Sequence, residues 1–438
     1  MSCKSKIFTL PVWLAFVAIL IPLLATILKK DNKPDLTGIV ISEEKPELSR
    51  QSWFDGTYQD EREDYNSDHW AFRESMVRWN NQLYYKLFNQ LRVNGFVAGK
   101  DDYVFSENYI FSAFGDDLIP ESEISELLRK AKVVQDTLKK KNIDLLLVYA
   151  PGKGSYCKEY IQDKYQHPIK TTNHAVFVSN SKKFNVNHLD LLTYFEKLKP
   201  TTPYPLFPKF GHHWSYYGAC IATDTLIKHI EKLHGKPMPR LLWSKIEVAD
   251  TARSRDADVL KSMNLKFNPP QGLKLAYPMI EWEQDSTKNN VRVLTISDSY
   301  FYDQVYMQIL QNSFGNGQFW YYYNKVIPSP KPGEKVEAWE LDLKTEIESN
   351  QVIMLLYSDG NLPKFGNNFI QDAYELYTSP KTYSARVVVN KQIQEYAKQI
   401  RNTPLLLKKS TNYSKINQLT LDSAIKRDAM IMAGFIKN

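Results

Sequence analysis

Two stretches of this chain, "IDLLLVYAP" at residues 143–151 and "QVIMLLYS" at 351–358, are apolar at nearly every position. A strand with one solvated face carries polar residues at every second position, whereas a continuous apolar run belongs to a strand covered on both sides. Such strands occur in largely parallel sheets between helix layers. "VRVLTIS" at 291–297 reads as a further strand and "FNVNHLDLL" at 184–192 as a weaker candidate. Helical patterns lie between them. One runs from about Glu121 to Lys141, one from Ser215 with Ala219, Ala222, Leu226, Ile230 and Leu233 on one face and Gly235 as its stop, and one covers "VEAWELDLKTEIES". The alternation predicts an α/β fold with a mostly parallel sheet flanked by helices, over residues 119–371. In such sheets functional residues gather where strands end and loops begin.

The flanking regions read differently. Ile7 to Leu28 is an uncharged apolar segment between Lys4 and Lys6 on one side and Lys29 and Lys30 on the other. Roughly 20 apolar residues span a bilayer, so residues 7–28 are expected to form a retained transmembrane helix behind a short inside tail, 1–6. A cleaved signal peptide is the other reading, and the balanced lysines do not orient the segment. Residues 29–52 are a polar spacer. In the region 53–118, Phe72, Met76, Trp79, Leu83 and Leu87 form a helical stripe expected to face the core, and "FVAGKDDYVF" reads as a hairpin. Residues 372–438 form a small helical appendage, with Ile393, Ala397 and Ile400, then Leu421, Ile425 and Ala429, on its apolar faces. The formal charge of +7 arises from scattered lysines without a run or a nucleic-acid motif, which argues against nucleic-acid binding. Cys157 and Cys220 are either a bridge or two buried thiols.

The strand "VRVLTI" runs into "SDSYFYDQ". A short polar turn after a buried strand holds a serine at the sheet edge, and Ser299 is the candidate nucleophile. A hydroxyl also needs a base. In "PLFPKFGHHWSYYGA", residues 205–219, His213 stands just before Ser215, the expected helix N-cap, and Trp214 anchors it to the body. A histidine so held presents an imidazole to the serine. His212 faces elsewhere, since neighbours in an extended segment point to opposite sides. Adjacent histidines without further ligand spacing do not make a metal site, and no cofactor motif is present.

Four segments in colinear order carry a family resemblance. "FPKFGHHWSYYGA" is similar to the D-x-H-W segment of the bacterial alginate O-acetyltransferase family, and "TISDSYF" to its G-D-S nucleophile turn. "YAPGKGSYC" and "FVAGKDDYVF" resemble its P-x-K loop and its hairpin. The resemblance spans roughly residues 70–370. It implies an SGNH-hydrolase-like domain that acetylates an exported polysaccharide, with Ser299 as nucleophile, His213 as base, and a membrane-bound O-acyltransferase partner that brings acetyl groups across the inner (cytoplasmic) membrane to a periplasmic body.

This chain departs from the pattern twice. Gly211 replaces the family's aspartate two positions before the histidine, and Ser297 replaces the glycine before D-S. The aspartate holds the imidazole in the reactive tautomer, and its loss in a serine protease costs about 10⁴ in rate. Asp256 and Asp258 in "RSRDADVL" are candidate substitutes, and Asp298 is expected to shape the nucleophile's turn. Lys153, after a buried strand, is a candidate for an anionic substrate or the oxyanion, or a plain solvated lysine. Trp320 and Tyr322 in "FWYYYN" are candidates for stacking on sugars, or core residues. Asn361, just past another strand end, is a weaker substrate-site candidate of the same kind as Lys153. Two readings stand beside acetyl transfer: an acetyl-esterase using the same residues, and a glycan-binding subunit that has lost catalysis.

Overall fold

The structure is a computed structural model and describes residues 4–28, 36–38, 44–285, 287–288 and 291–436. Its strands are β1 (Phe96–Ala98), β2 (Val104–Ser106), β3 (Asp144–Ala150), β4 (His188–Asp190), β5 (Leu241–Ala249), β6 (Leu275–Trp282), β7 (Val293–Ser297), β8 (Gln318–Tyr321), β9 (Lys325–Ile327) and β10 (Val352–Ser358). Six of them form the central sheet in the order β4-β3-β10-β7-β8-β9, parallel throughout except for the antiparallel edge pair β8–β9.

Both faces of this sheet are covered, which is why β3 and β10 need no polar positions. Alternate residues of β3 and β10, Leu146, Val148, Met354 and Leu356, pack with Leu226, Ile227 and Ile230 of the Tyr216–His234 helix. The intervening Leu145, Leu147, Ile353 and Leu355 pack on the other face. There they meet Ile124, Leu128 and Leu138 of the Glu121–Lys139 helix and Phe369 of the Phe369–Thr378 helix. Each such side chain contributes about 1.5–3 kcal/mol by leaving water.

Some expected elements change extent. The strand candidate at 184–192 shortens to β4, because Asn185 takes φ 55° and Asp190 caps a helix at Leu191–Leu198 through the Thr193 N–H at 3.0 Å. "VEAWELDLKTEIES" breaks into a single turn, Ala338–Glu340, and a helix, Leu343–Glu348, capped by Asp342. In the Arg73–Phe88 helix the core-facing stripe is overturned: Met76, Trp79, Leu83 and Leu87 are 45–69% exposed. Polar anchors set the buried face instead. Asn81 donates to the Met263 carbonyl at 3.0 Å, Gln82 accepts from Phe267 N–H at 2.9 Å, and the Tyr85 hydroxyl binds Asp102.

The N-terminal apolar run forms one helix, Lys4–Ile27, with Pro11 and Pro22 inside it. Among the described residues no helix is long and apolar enough to cross a membrane, so the fold does not show the anchor expected over 7–28. At the other end, Pro380–Asn402, Pro404–Ile416 and Leu421–Met432 are helices, and Ile393, Ala397, Ile400, Ile425 and Ala429 form a core of their own. β5 and β6 make an antiparallel pair outside the main sheet. The segment between them, 250–274, reaches back to the end of β7 and carries Arg255, Asp256 and Asp258.

Candidate active site

β7 ends at Ser297, and the chain turns at Asp298 and Ser299. Asp298 is fully buried and ties this turn to the end of β10. Its Oδ1 accepts the Tyr300 N–H at 3.0 Å, and its Oδ2 accepts from Ser358 N–H, Ser358 Oγ and Asn361 Nδ2 at 2.9, 2.6 and 2.8 Å. A carboxylate with this many donors fixes the turn, so the adjacent Ser299 stands at the C-terminal edge of the sheet, partly exposed. Ser297, where the family has glycine, donates its hydroxyl to the Leu356 carbonyl at 2.6 Å and adds a second tie to β10.

His213 arrives from the other side. Ser215 caps the Tyr216–His234 helix through Gly218 N–H at 3.0 Å and anchors itself to the Pro205 carbonyl at 2.7 Å. Trp214 is buried, with its indole N–H on Asp303 at 3.0 Å. Held by these two neighbours, His213 places Nε2 2.9 Å from Ser299 Oγ. Its Nδ1 lies 3.3 Å from Asp258 Oδ2. With the proton on Nδ1 and donated to Asp258, Nε2 accepts from the serine hydroxyl, as a general base must. Asp258 is fixed in turn, Oδ1 accepting the His212 N–H at 3.0 Å and the Val259 N–H at 2.7 Å. Burial pushes the Asp258 carboxyl up, but hydrogen bonding and charge from His213, with the His212 N–H, outweigh it and hold it below the ordinary carboxylate value.

The missing aspartate is thus replaced from another loop, and of the two substitutes it is Asp258 that reaches the imidazole. Asp256 turns away and caps the helix instead, its Oδ1 accepting the Tyr216 N–H at 3.1 Å. Gly211 shows why the exchange is coupled to the sequence. A Cβ there would meet Pro208 Cγ at 2.6 Å and the carbonyls of Arg255 and Asp256 at 2.9 and 3.0 Å. The loop that delivers Asp258 occupies the space in which a side chain at 211 would begin.

Three of the expected substrate contacts are corrected. Lys153 is 1% exposed and donates Nζ to the carbonyls of Lys209 and Gly211 at 2.6 and 2.9 Å. It lies over the rings of Tyr103 and Phe105 and pins the loop that leads to His213. Burial pushes its ammonium down to about 7. Trp320 is completely buried, packed in the core with Val336 and with Val326, its cross-strand partner on β9. Asn361 spends its amide on Asp298 and on Ser358 Oγ at 3.2 Å, as part of the turn. Tyr322 stays half-buried at the end of β8, tied through its N–H to the Ser297 carbonyl at 2.8 Å. His212 faces away from Ser299 as expected, against Phe96 and Tyr109, and burial holds its pKa well below the ordinary histidine value.

Sequence reasoning missed Arg255 and Asp303. Arg255 donates from Nη2 to the Ser299 carbonyl at 3.1 Å and pairs through Nε with Asp303 at 2.6 Å. Arg255 lies in the string singled out for its aspartates, and Asp303 one turn past the nucleophile, but neither position has a spacing that marks it. Cys157 and Cys220 are free and buried, and burial raises the Cys157 thiol to about 12. Among the described residues no group of three or more His, Cys, Asp or Glu side chains is placed to hold a metal ion.

A serine at the end of a central parallel strand, with a histidine and an aspartate on separate loops, makes a Ser-His-Asp constellation on an α/β domain. Residues 96–290 match the family described as "SGNH hydrolase-like domain, acetyltransferase AlgX". The matched residues include Lys153, His213 and Asp258 and end before Ser299. Among solved structures, the O-acetyltransferase domain of Pseudomonas putida AlgJ is 18% identical with a TM-score of 0.40, over 64% of this chain and 99% of that one. Pseudomonas aeruginosa AlgX is 13% identical with a TM-score of 0.41, over 64% and 66%. Bacillus cereus PatB1 is 14% identical with a TM-score of 0.36, over 60% and 95%. No curated protein matches the sequence.

Proposed function

We propose that this protein is a serine O-acetyltransferase that moves an acetyl group onto a hydroxyl of an exported or cell-surface polysaccharide. The observation that carries the reading is the chain of contacts from Asp258 to His213 to Ser299 Oγ. Ser299 Oγ attacks the acetyl carbonyl of a donor ester while His213 Nε2 takes its proton. The tetrahedral species collapses to acetyl-Ser299, and the leaving alcohol receives the proton from His213. A sugar hydroxyl then gives its proton to His213 and attacks the acetyl carbonyl, which forms the sugar ester and frees Ser299. Asp258 stabilises the imidazolium in both halves.

The family description supports transfer over hydrolysis. The uncharged run Ile7–Leu28 supports a single-pass anchor in the inner membrane with the body outside, and an external body in turn calls for a membrane-bound O-acyltransferase that delivers acetyl groups. These last two elements rest on the sequence and the resemblance alone. Incubating the protein with an acetyl ester, with and without an oligosaccharide acceptor, tests the main reading. Acetylated oligosaccharide is the expected product. Acetate release that is indifferent to acceptor would instead assign the site to ester hydrolysis, and inertness with intact folding would assign the chain to glycan binding.

A further inference from the structure

Beside the turn that carries Ser299 lies a cavity of about 230 Å³ that the acyl-transfer chemistry leaves unused. Tyr216, Tyr277, Tyr306, Arg253, Arg255 and Asp256 line it. It is joined to the reactive pair on two sides. Arg255 reaches from the cavity wall to the Ser299 carbonyl, and Tyr216 begins the helix that His213 precedes. Its size is below the roughly 300–1,000 Å³ of pockets that enclose drug-sized ligands, and suits a single small ring.

The lining is aromatic and electrically balanced. Both guanidiniums are already matched by carboxylates, Arg253 by Glu247 in a two-bond pair and Arg255 by Asp303. Arg253 also lies 4.7 Å over the Tyr277 ring, so its face is occupied as well as its donors. Two buried polar atoms of the lining lack a well-directed hydrogen bond: Arg255 Nε, which keeps its ion pair with Asp303, and Asp256 Oδ2. Asp256 is 2% exposed, its Oδ1 is used by the Tyr216 N–H, and its Oδ2 makes no well-directed hydrogen bond among the described residues, with the Tyr277 hydroxyl beside it. A buried oxygen without a partner costs on the order of 1–3 kcal/mol, which a ligand hydroxyl would recover. Burial raises this carboxyl to about 7, so near neutral pH it both donates to and accepts from a hydroxyl.

We infer that this cavity is a subsite for one uncharged sugar ring of the acceptor, held by the tyrosine faces and by a hydroxyl on Asp256, next to the unit that is acetylated. A uronate or phosphorylated sugar is disfavoured there, since both guanidiniums of the lining are paired with carboxylates and Asp256 and Asp303 stand in the wall. The inference rests on the polysaccharide reading above and narrows the acceptor to a glycan with neutral units.

The test is binding without turnover. The 438-residue chain carrying Ser299→Ala is titrated in detergent with cellotetraose, chitotetraose, xylotetraose, mannotetraose and a galacturonic acid tetramer, followed by ligand-observed NMR. At least one neutral tetramer binds at least tenfold more tightly than the uronate, and Tyr306→Ala weakens it at least tenfold. The Tyr306 side chain is 68% exposed, so its removal leaves the fold standing. Equal or tighter uronate binding, no binding of any neutral tetramer, or unchanged binding in Tyr306→Ala overturns the subsite. Acetyl transfer is read separately, so a failure of either leaves the other distinguishable.

Discussion

Replacing Asp258 with asparagine is the sharpest perturbation of the site. The variant keeps an oxygen for the His212 and Val259 N–H groups, so the loop retains its anchors. Its amide N–H₂ then faces His213 Nδ1, which favours the tautomer with the proton on Nε2, and that nitrogen can no longer accept from Ser299. The lost charge adds to this. At 3.3 Å an imidazolium and a carboxylate attract by about 5 kcal/mol at an effective dielectric near 20. Because the Asp258 side chain is 33% exposed, solvent reduces this to about 3–4 kcal/mol, or a 10²- to 10³-fold fall in rate. The assay is steady-state release of p-nitrophenol from p-nitrophenyl acetate, with kcat falling and KM near its original value. A decrease of less than about fivefold, with the melting temperature unchanged, would refute the assignment and leave His213 oriented by some other group.

Further outcomes follow from the same contacts. Adding the family's aspartate back, as Gly211→Asp on top of Asp258→Asn, does not restore activity and lowers stability by about 1–3 kcal/mol, because the side chain meets the Arg255 and Asp256 carbonyls; activity and a urea titration of the double variant check both. Lys153 has a folded pKa of about 7, below the ordinary lysine value, so between these values the unfolded chain binds more protons and stability rises with pH. Lys153→Met removes that term, and the stability difference between wild type and variant, from urea melts at pH 7 and 9, grows by about 2 kcal/mol in favour of wild type. Asp298→Ala strips the turn of its ties to Ser358 and Asn361. It lowers both melting temperature and kcat, whereas Ser299→Ala abolishes kcat with the melting temperature kept, as paired calorimetry and rate measurements will show.

The central sheet was legible because a strand buried on both faces has no other way to be written: β3 and β10 lie within one residue of the apolar runs at 143–151 and 351–358. Ser299 and His213 were legible for a related reason, since one ends such a strand and the other is fixed by a helix cap. The partner acid was narrowed to a string but not to a residue. Asp256 and Asp258 differ only in how the loop folds over Gly211, and that packing has no period in the sequence. Lys153 was misread because a lysine in a loop is ordinarily solvated, whereas here two backbone carbonyls and two aromatic rings enclose it. The Arg73–Phe88 stripe misled for the opposite reason: the hydrogen bond Asn81 donates to Met263 and the one Gln82 accepts from Phe267 lie on the face that is covered, against the hydrophobic period.

The central claim is that Ser299 becomes acylated with help from His213. Brief incubation with an activated acetyl ester, acid quenching and peptide mass spectrometry read it directly. The peptide containing Ser299 gains one acetyl group, localised to that residue by fragmentation, and the adduct is lost in His213→Ala. An unmodified Ser299 peptide from folded protein that turns over the ester, or an acetyl group found on another residue, contradicts the account.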